Sequence, residues 1–228
     1  MFLRMLVAGT ALLCATAVSA ATVSYTDSVS IQSTDWNDQL SVPQFDPTFG
    51  ALNSVTLTLT ATVEGSASVE SLDAAPNTIF VDLKAVIVAS TNFIPEIAMA
   101  IPLVSAQFDA SAFDGLLDYA GTSGVTIADL EATDTDTGTL TGTDLTEFVG
   151  IGTVDILVQA TGHSTEQGPG NLASILLTSA AAELEVTYDY SKFPIAPVPL
   201  PAGAVLMLSG LGAVGLMSRR RRSPALSV

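Results

Sequence analysis

Cysteine, histidine and basic residues are almost missing from this 228-residue chain, and each shortage removes a class of function. There is one cysteine, Cys14, and one histidine, His163. Neither a tetrahedral zinc site nor a Cys–His nucleophile can be assembled from that pair. Seven residues are Lys or Arg, against 23 Asp or Glu. Arg4 and Arg219 to Arg222 lie at the two ends, so Lys84 and Lys192 alone face all the acids of the middle. Nucleic acid binding needs a basic footprint, and that stretch has none. The acids are dispersed rather than run together, which describes a solvated, self-repelling surface and not a disordered tail. Aromatics are sparse too, with one Trp and four Tyr. Glycoside hydrolases set their paired carboxylates in a sugar-binding cleft, usually lined with aromatics. The pairs Asp114/Asp118 and Glu183/Glu185 are therefore read as solvated acids. A serine triad built on His163 has no Gly-x-Ser-x-Gly elbow to support it, since Gly121 and Val125 flank Ser123 at the two-residue positions. No enzymatic activity is expected.

What the chain does have is concentrated at its ends. Arg4 is followed by an uncharged apolar run from Met5 to Ala17 and by the small residues Val18-Ser19-Ala20. This is the pattern of a secretory signal peptide, residues 1–20, cut between Ala20 and Ala21. Cys14 follows Leu13, not the small residue a lipoprotein signal needs. Near the other end Ala202 to Met217 is an apolar segment of 16 residues, interrupted only by glycines and one serine. As a helix it would run ~24 Å, the short end of a bilayer span. Arg219, Arg220, Arg221 and Arg222 then form a stop-transfer cluster that stays cytoplasmic by the positive-inside rule. Ahead of the span stands Val198-Pro199-Leu200-Pro201-Ala202. With Pro197, these prolines hold the chain extended, a shape that a protease can grip.

The region between the ends, roughly 175 residues, can bury one sizeable core without disulfides. Its pattern is alternation. Val55, Leu57, Leu59, Ala61 and Val63 take every second place, with threonine at each place between. That is a strand with one buried and one wet face. Val23, Tyr25, Val29 and Ile31 repeat it, as do Ile97, Met99, Ile101 and Leu103; Val154 to Ala160; and Leu184, Val186, Tyr188 and Tyr190. Phe80 to Ala89 is apolar enough for a central strand. Turn residues cluster between the runs, and only the two end segments suggest helix. The expected fold is an all-β antiparallel β-sandwich of jelly-roll type, with Tyr188 and Tyr190 on one buried face and Trp36 capping the core. Asp134-Thr-Asp136-Thr-Gly138, with Asp144 beyond, has the alternate acids of a calcium loop. Gly138 stands where a third Asp or Asn is wanted and no Glu closes the loop, so it is read as a Thr/Asp-rich surface loop, with Ca2+ a weak candidate. No cofactor is expected.

Two resemblances extend this reading. Val198, Pro199, Leu200, Pro201 and Ala202, the Gly-rich span and the four arginines together resemble the VPLPA form of the PEP-CTERM sorting signal. The resemblance implies a substrate of an exosortase-type membrane protease in a Gram-negative bacterium that makes exopolysaccharide. Leu200 stands where the better-known motif has Glu. Thr34-Asp35-Trp36, Leu40 to Pro47 and Gly50 to Leu57 resemble the start of the choice-of-anchor E domain. Phe113-Asp114-Gly115 with Asp118 to Gly124, Phe148 to Val154, and Val186 to Tyr190 resemble its middle and end. That resemblance implies a surface-sorted domain with no assigned activity. The expected layout is signal peptide 1–20, sandwich ectodomain 21–193, Pro-rich linker and sorting motif 194–201, transmembrane segment 202–218 and basic cytoplasmic tail 219–228. The expected role is structural or adhesive, at the cell surface or in the exopolysaccharide matrix, after inner-membrane anchoring. The alternative is a carbohydrate-binding module of that matrix. Expected partners are the secretion translocon, the sorting protease, the membrane and exopolysaccharide, and not nucleic acid.

Overall fold

The structure is a computed structural model that describes residues 20–168 and 170–193, with residues 207, 210–212, 214, 215 and 217. The chain divides into two compact units, Met1–Phe193 and Pro194–Val228. In the second unit the described residues are helical and exposed. Among the described residues no helix is long and apolar enough to cross a membrane.

The first unit is built from antiparallel strands: β1 (Ala20–Ser33), β2 (Trp36–Pro43), β3 (Gly50–Ser71), β4 (Asn77–Ser90), β5 (Ala98–Ala100), β6 (Leu103–Ala110), β7 (Gly124–Leu140), β8 (Thr153–Gly162), β9 (Thr165–Gln167) and β10 (Leu172–Lys192). One sheet has the order β1-β10-β3-β7, the other β2-β8-β4-β5, with β6 and β9 also paired to β4. β4 is therefore a central strand, bonded along both edges, which its apolar run foreshadows. The core lies between the sheets. Val55, Leu57, Leu59, Ala61 and Val63 of β3 face Ile79, Val81, Leu83, Ala85 and Ile87 of β4, all buried. The threonines between the β3 residues point outward, where they hydrogen-bond across to β7: Thr60 to Thr135 at 3.2 Å and Thr62 to Thr133 at 3.1 Å. Trp36 is buried and its indole Nε1–H donates to the Ala180 carbonyl at 3.2 Å, which fixes the start of β2 against β10.

Three expectations are corrected. Ile97 to Leu103 does not form one strand. Pro102 lacks an N–H and interrupts the ladder between β5 and β6. The buried parity there belongs to Ala98 and Ala100, while Met99 and Leu103 are exposed. Ile31 is also exposed, because an extra residue on β1 shifts the register with β10 between Val29 and Gln32. Asp134 to Gly138 is not a loop but part of β7, and the loop residue Asp144 belongs to a short 3-10 helix, Gly142–Phe148.

Those aspartates have a different task. The register of β3 with β7 puts Asp134 opposite Ala61 and Asp136 opposite Leu59, on the inward parity of an edge strand. Asp136 Oδ2 accepts the Met99 N–H at 2.8 Å, and Asp134 Oδ2 accepts the Ile101 N–H at 2.7 Å. The carboxylates thus satisfy backbone donors of β5 and of Ile101 just beyond it, joining the two sheets along one open side. Gly138 belongs to the same seam: a Cβ there would run into the Ile97 carbonyl. On the other open side Asp27 of β1 does the same. It lies opposite Leu184, and its Oδ2 accepts the Ser41 N–H of β2 at 3.2 Å. Inward-pointing charges on edge strands also block pairing with another chain.

A charged acceptor on a backbone donor contributes about 1.5–3 kcal/mol. Asp134→Ala should therefore lower the unfolding free energy by about that amount in urea titration. Thr135→Ala, on the outer face one residue away, should change it by less than about 0.5 kcal/mol.

Candidate functional site

The positions singled out at the termini fall in different places. Val198, Pro199, Leu200, Pro201 and Ala202 lie outside the described residues, as do Arg219 to Arg222. Ala20 and Ala21 are the first residues of β1, paired with Ser191 and Tyr190 near the end of β10. The first and last strands of the sandwich are neighbours, so Ala20 and Ser191 stand side by side at the same end of the sheet.

That end is packed with aromatic rings. Phe45 is buried, with ring centroids 5.0 Å from Tyr190, 6.0 Å from Tyr188 and 6.4 Å from Phe49. Tyr25 meets Tyr188 edge-on at 6.1 Å. The segment after β2 is held by backbone bonds from Phe45 N–H to the Phe148 carbonyl and from Gly150 N–H to the Phe45 carbonyl. Gln44 Nε2 donates to the Glu147 carbonyl at 2.8 Å, and its Oε1 accepts the Gly152 N–H at 3.2 Å. Tyr188 is buried and its hydroxyl donates to the Pro43 carbonyl at 2.8 Å. Burial, and secondarily the proximity of Tyr25, pushes that phenol well above its ordinary value. Next to Phe45 in sequence, hydrogen bonds from Thr48 hold the half-buried Asp46 carboxyl below the usual carboxylate range. Phe45, Pro47, Leu52, Leu145, Val149 and Phe193 line an open, largely apolar cleft of about 660 Å3.

The other candidates are dispersed. Glu183 and Glu185 project from the outer face of β10, opposite Thr60 and Thr58. Ser24 and Thr187 bond at 2.7 Å on the same face, so the two glutamates stand in a sheet of hydroxyls rather than a cleft. Asp114 and Asp118 are exposed, and each accepts a nearby backbone N–H, from Leu116 and Ala120. Ser123 is buried beneath that loop. His163 is exposed, and its backbone N–H donates to Lys84. A second open cleft, about 700 Å3, lies where Ile31, Glu64, Asp129 and Glu131 meet, and a third, about 340 Å3, lies between Phe93 and the 3-10 helix. His163 lines none of the three. Among the described residues no three His, Cys, Asp or Glu side chains converge as a ready metal centre. Among the described residues the exposed rings are all phenylalanine, Phe49, Phe80, Phe93 and Phe193, and they sit on separate elements.

Two features escaped the sequence reading. One is the sealing role of Asp27, Asp134 and Asp136, although the signal was present as an acid at the inward parity of an otherwise apolar strand. The other is Glu70, fully buried near the end of β3. No local pattern marks it, because its cover comes from a loop fifty residues later.

No protein-family profile matches the chain, and no curated protein matches it. Among solved structures it is similar to desmodium yellow mottle tymovirus, at 10% identity over 83% of this chain and 98% of that one, with a TM-score of 0.22. It is also similar to the VP2 subviral particle of infectious bursal disease virus, at 11% identity over 88% of this chain and 50% of that one, TM-score 0.15. Likenesses at these scores carry no argument about what the chain does.

The tyrosine geometry yields a pH prediction. A phenol raised in the folded state stabilises the fold fully below its ordinary value of 10.0, and that contribution is lost as pH rises beyond it. Tyr188→Phe should cost about 0.5–1.5 kcal/mol at neutral pH for the lost bond to Pro43. Between about pH 10 and pH 11 the wild type should lose stability faster than the variant, so the gap in urea midpoint should narrow.

Proposed function

We propose that this chain is an exported, surface-sorted bacterial β-sandwich without enzymatic activity, with a structural or adhesive role at the cell surface or in an exopolysaccharide matrix. The observation that carries the reading is the order of its C-terminal parts: Val198 to Ala202, then an apolar Gly-rich span, then Arg219 to Arg222. The N-terminal leader pattern at the other end supports it. The secretion translocon would deliver the chain, the C-terminal span would anchor it in the inner membrane, and an exosortase-type protease would act on the sorting motif. The fold is compatible with losing both ends. Residues 21–192 hold both sheets nearly entire, with only Ala20 of β1 outside them. The strand orders β1-β10-β3-β7 and β2-β8-β4-β5 support a jelly-roll reading of the sandwich. The sealed edges, hydroxyl-covered outer face and shortage of basic groups suit a soluble part held outside the cell. A carbohydrate-binding role would be favoured by a continuous strip of exposed Trp or Tyr. The scattered phenylalanines do not form one, so the structural role is preferred.

Intact mass and fractionation of the protein from its native host, with and without the sorting protease, test the reading. The expected mature form starts near Ala21, ends between Val198 and Ala202, and lies outside the inner membrane only when the protease is present. A mass retaining Arg219 to Arg222, in the inner membrane of both strains, would overturn it.

A further inference from the structure

Glu70 is buried with no solvent exposure, and neither carboxylate oxygen has a hydrogen-bond partner among the described residues. An ionised carboxylate in that state costs several kcal/mol or more unless something positive meets it. Neither lysine of the described residues supplies it. Lys192 pairs with Gly50, at the far end of β3, and Lys84 lies in β4 opposite Leu103. Glu70 lies instead under the loop that joins β6 to β7, where Gly124 is its register partner. Oε2 occupies the space that a Cβ on Gly124 would fill, and the Ala120 backbone N is 2.9 Å from the same point. The carboxylate is thus aimed at the turn Asp118–Gly124. That turn carries oxygen donors. The Ala120 carbonyl faces Gly124, whose N–H it accepts at 3.1 Å. Asp118 Oδ1 sits 3.1 Å from the Ala120 N. Ser123 is buried, and its hydroxyl has only a long contact, 3.4 Å, from the Asp114 N–H.

We propose that Glu70 is the buried anchor of a calcium site, completed by Asp118 and the Ala120 carbonyl of the overlying loop. The donor chemistry is all oxygen, mixing carboxylate with backbone carbonyl, which suits a hard divalent ion with a flexible coordination shell. Calcium is preferred to magnesium because magnesium demands near-ideal octahedral geometry and keeps its waters. Few carboxylates imply the weak end of the affinity scale, about 10⁻⁴–10⁻³ M, as in extracellular modules. The ion would neutralise Glu70 and hold down the loop that carries the exposed Leu116 and Leu117.

The test uses the full-length chain, stripped with chelator and titrated with CaCl2, then separately with MgCl2, at physiological salt. Calorimetry should show one Ca2+ per chain, with Mg2+ at least tenfold weaker, and Ca2+ should raise the midpoint of thermal unfolding. Glu70→Gln should abolish the binding heat and the thermal shift. Asp118→Asn, an exposed change that should not disturb folding, should weaken binding at least tenfold, while Asp136→Asn should leave it unchanged. No Ca2+ uptake by the wild type would overturn the site. So would equal responses to Ca2+ and Mg2+ that survive Asp118→Asn, which would mark diffuse screening of an acidic surface.

Discussion

A β-sandwich with strands as long as β3 and β10 has to dispose of its open edges, and three aspartates do so here. An edge strand presents a row of unpaired N–H groups, each of which needs a partner. Asp136 reaches inward from β7 to a donor of β5, Asp134 to the Ile101 N–H just beyond β5, and Asp27 from β1 to a donor of β2. Each bond links one sheet to the other, so the same contact satisfies a backbone group, fixes how the sheets sit on one another and spoils the edge as a template for other chains. The interior can then be made almost wholly of aliphatic side chains, with Phe45, Phe148 and Tyr188 among the largest fully buried groups.

Much of this architecture was legible as alternation. The Val55–Val63 run, the central position of β4 and the shared face of Tyr188 and Tyr190 follow from period two and from the balance of apolar residues. What alternation misses is where the period slips. One extra residue in β1 moves Ile31 to the surface, and Pro102 splits a run whose parity alone suggests a continuous strand. Asp134 and Asp136 read from sequence as part of a Thr/Asp-rich surface loop because polar residues at alternate places occur in both settings. Only the pairing of Leu59 with Asp136 shows that they stand on the inner side. Glu70 was illegible for another reason: its burial depends on a loop brought over it by long-range pairing.

The distribution of charge links fold to function. Five of the seven basic residues lie at the termini, whereas the region between sets Lys84 and Lys192 against all 23 acids. Such a surface is soluble and repels its own copies at a distance, while the aspartate seals block pairing at contact. Both properties oppose association between copies of the domain. Against that background a buried, unpartnered glutamate is out of place.

The edge seals are the point on which this account rests, and amide hydrogen exchange followed by NMR probes them directly. Ser41, Met99 and Ile101 have N–H groups that no neighbouring strand within their own sheet covers. If the aspartates hold them, these amides should exchange as slowly as inner ladder residues such as Leu57 and Leu83. If they exchange as fast as the amide of the exposed Ile151, the sheets are not joined at their edges in this way.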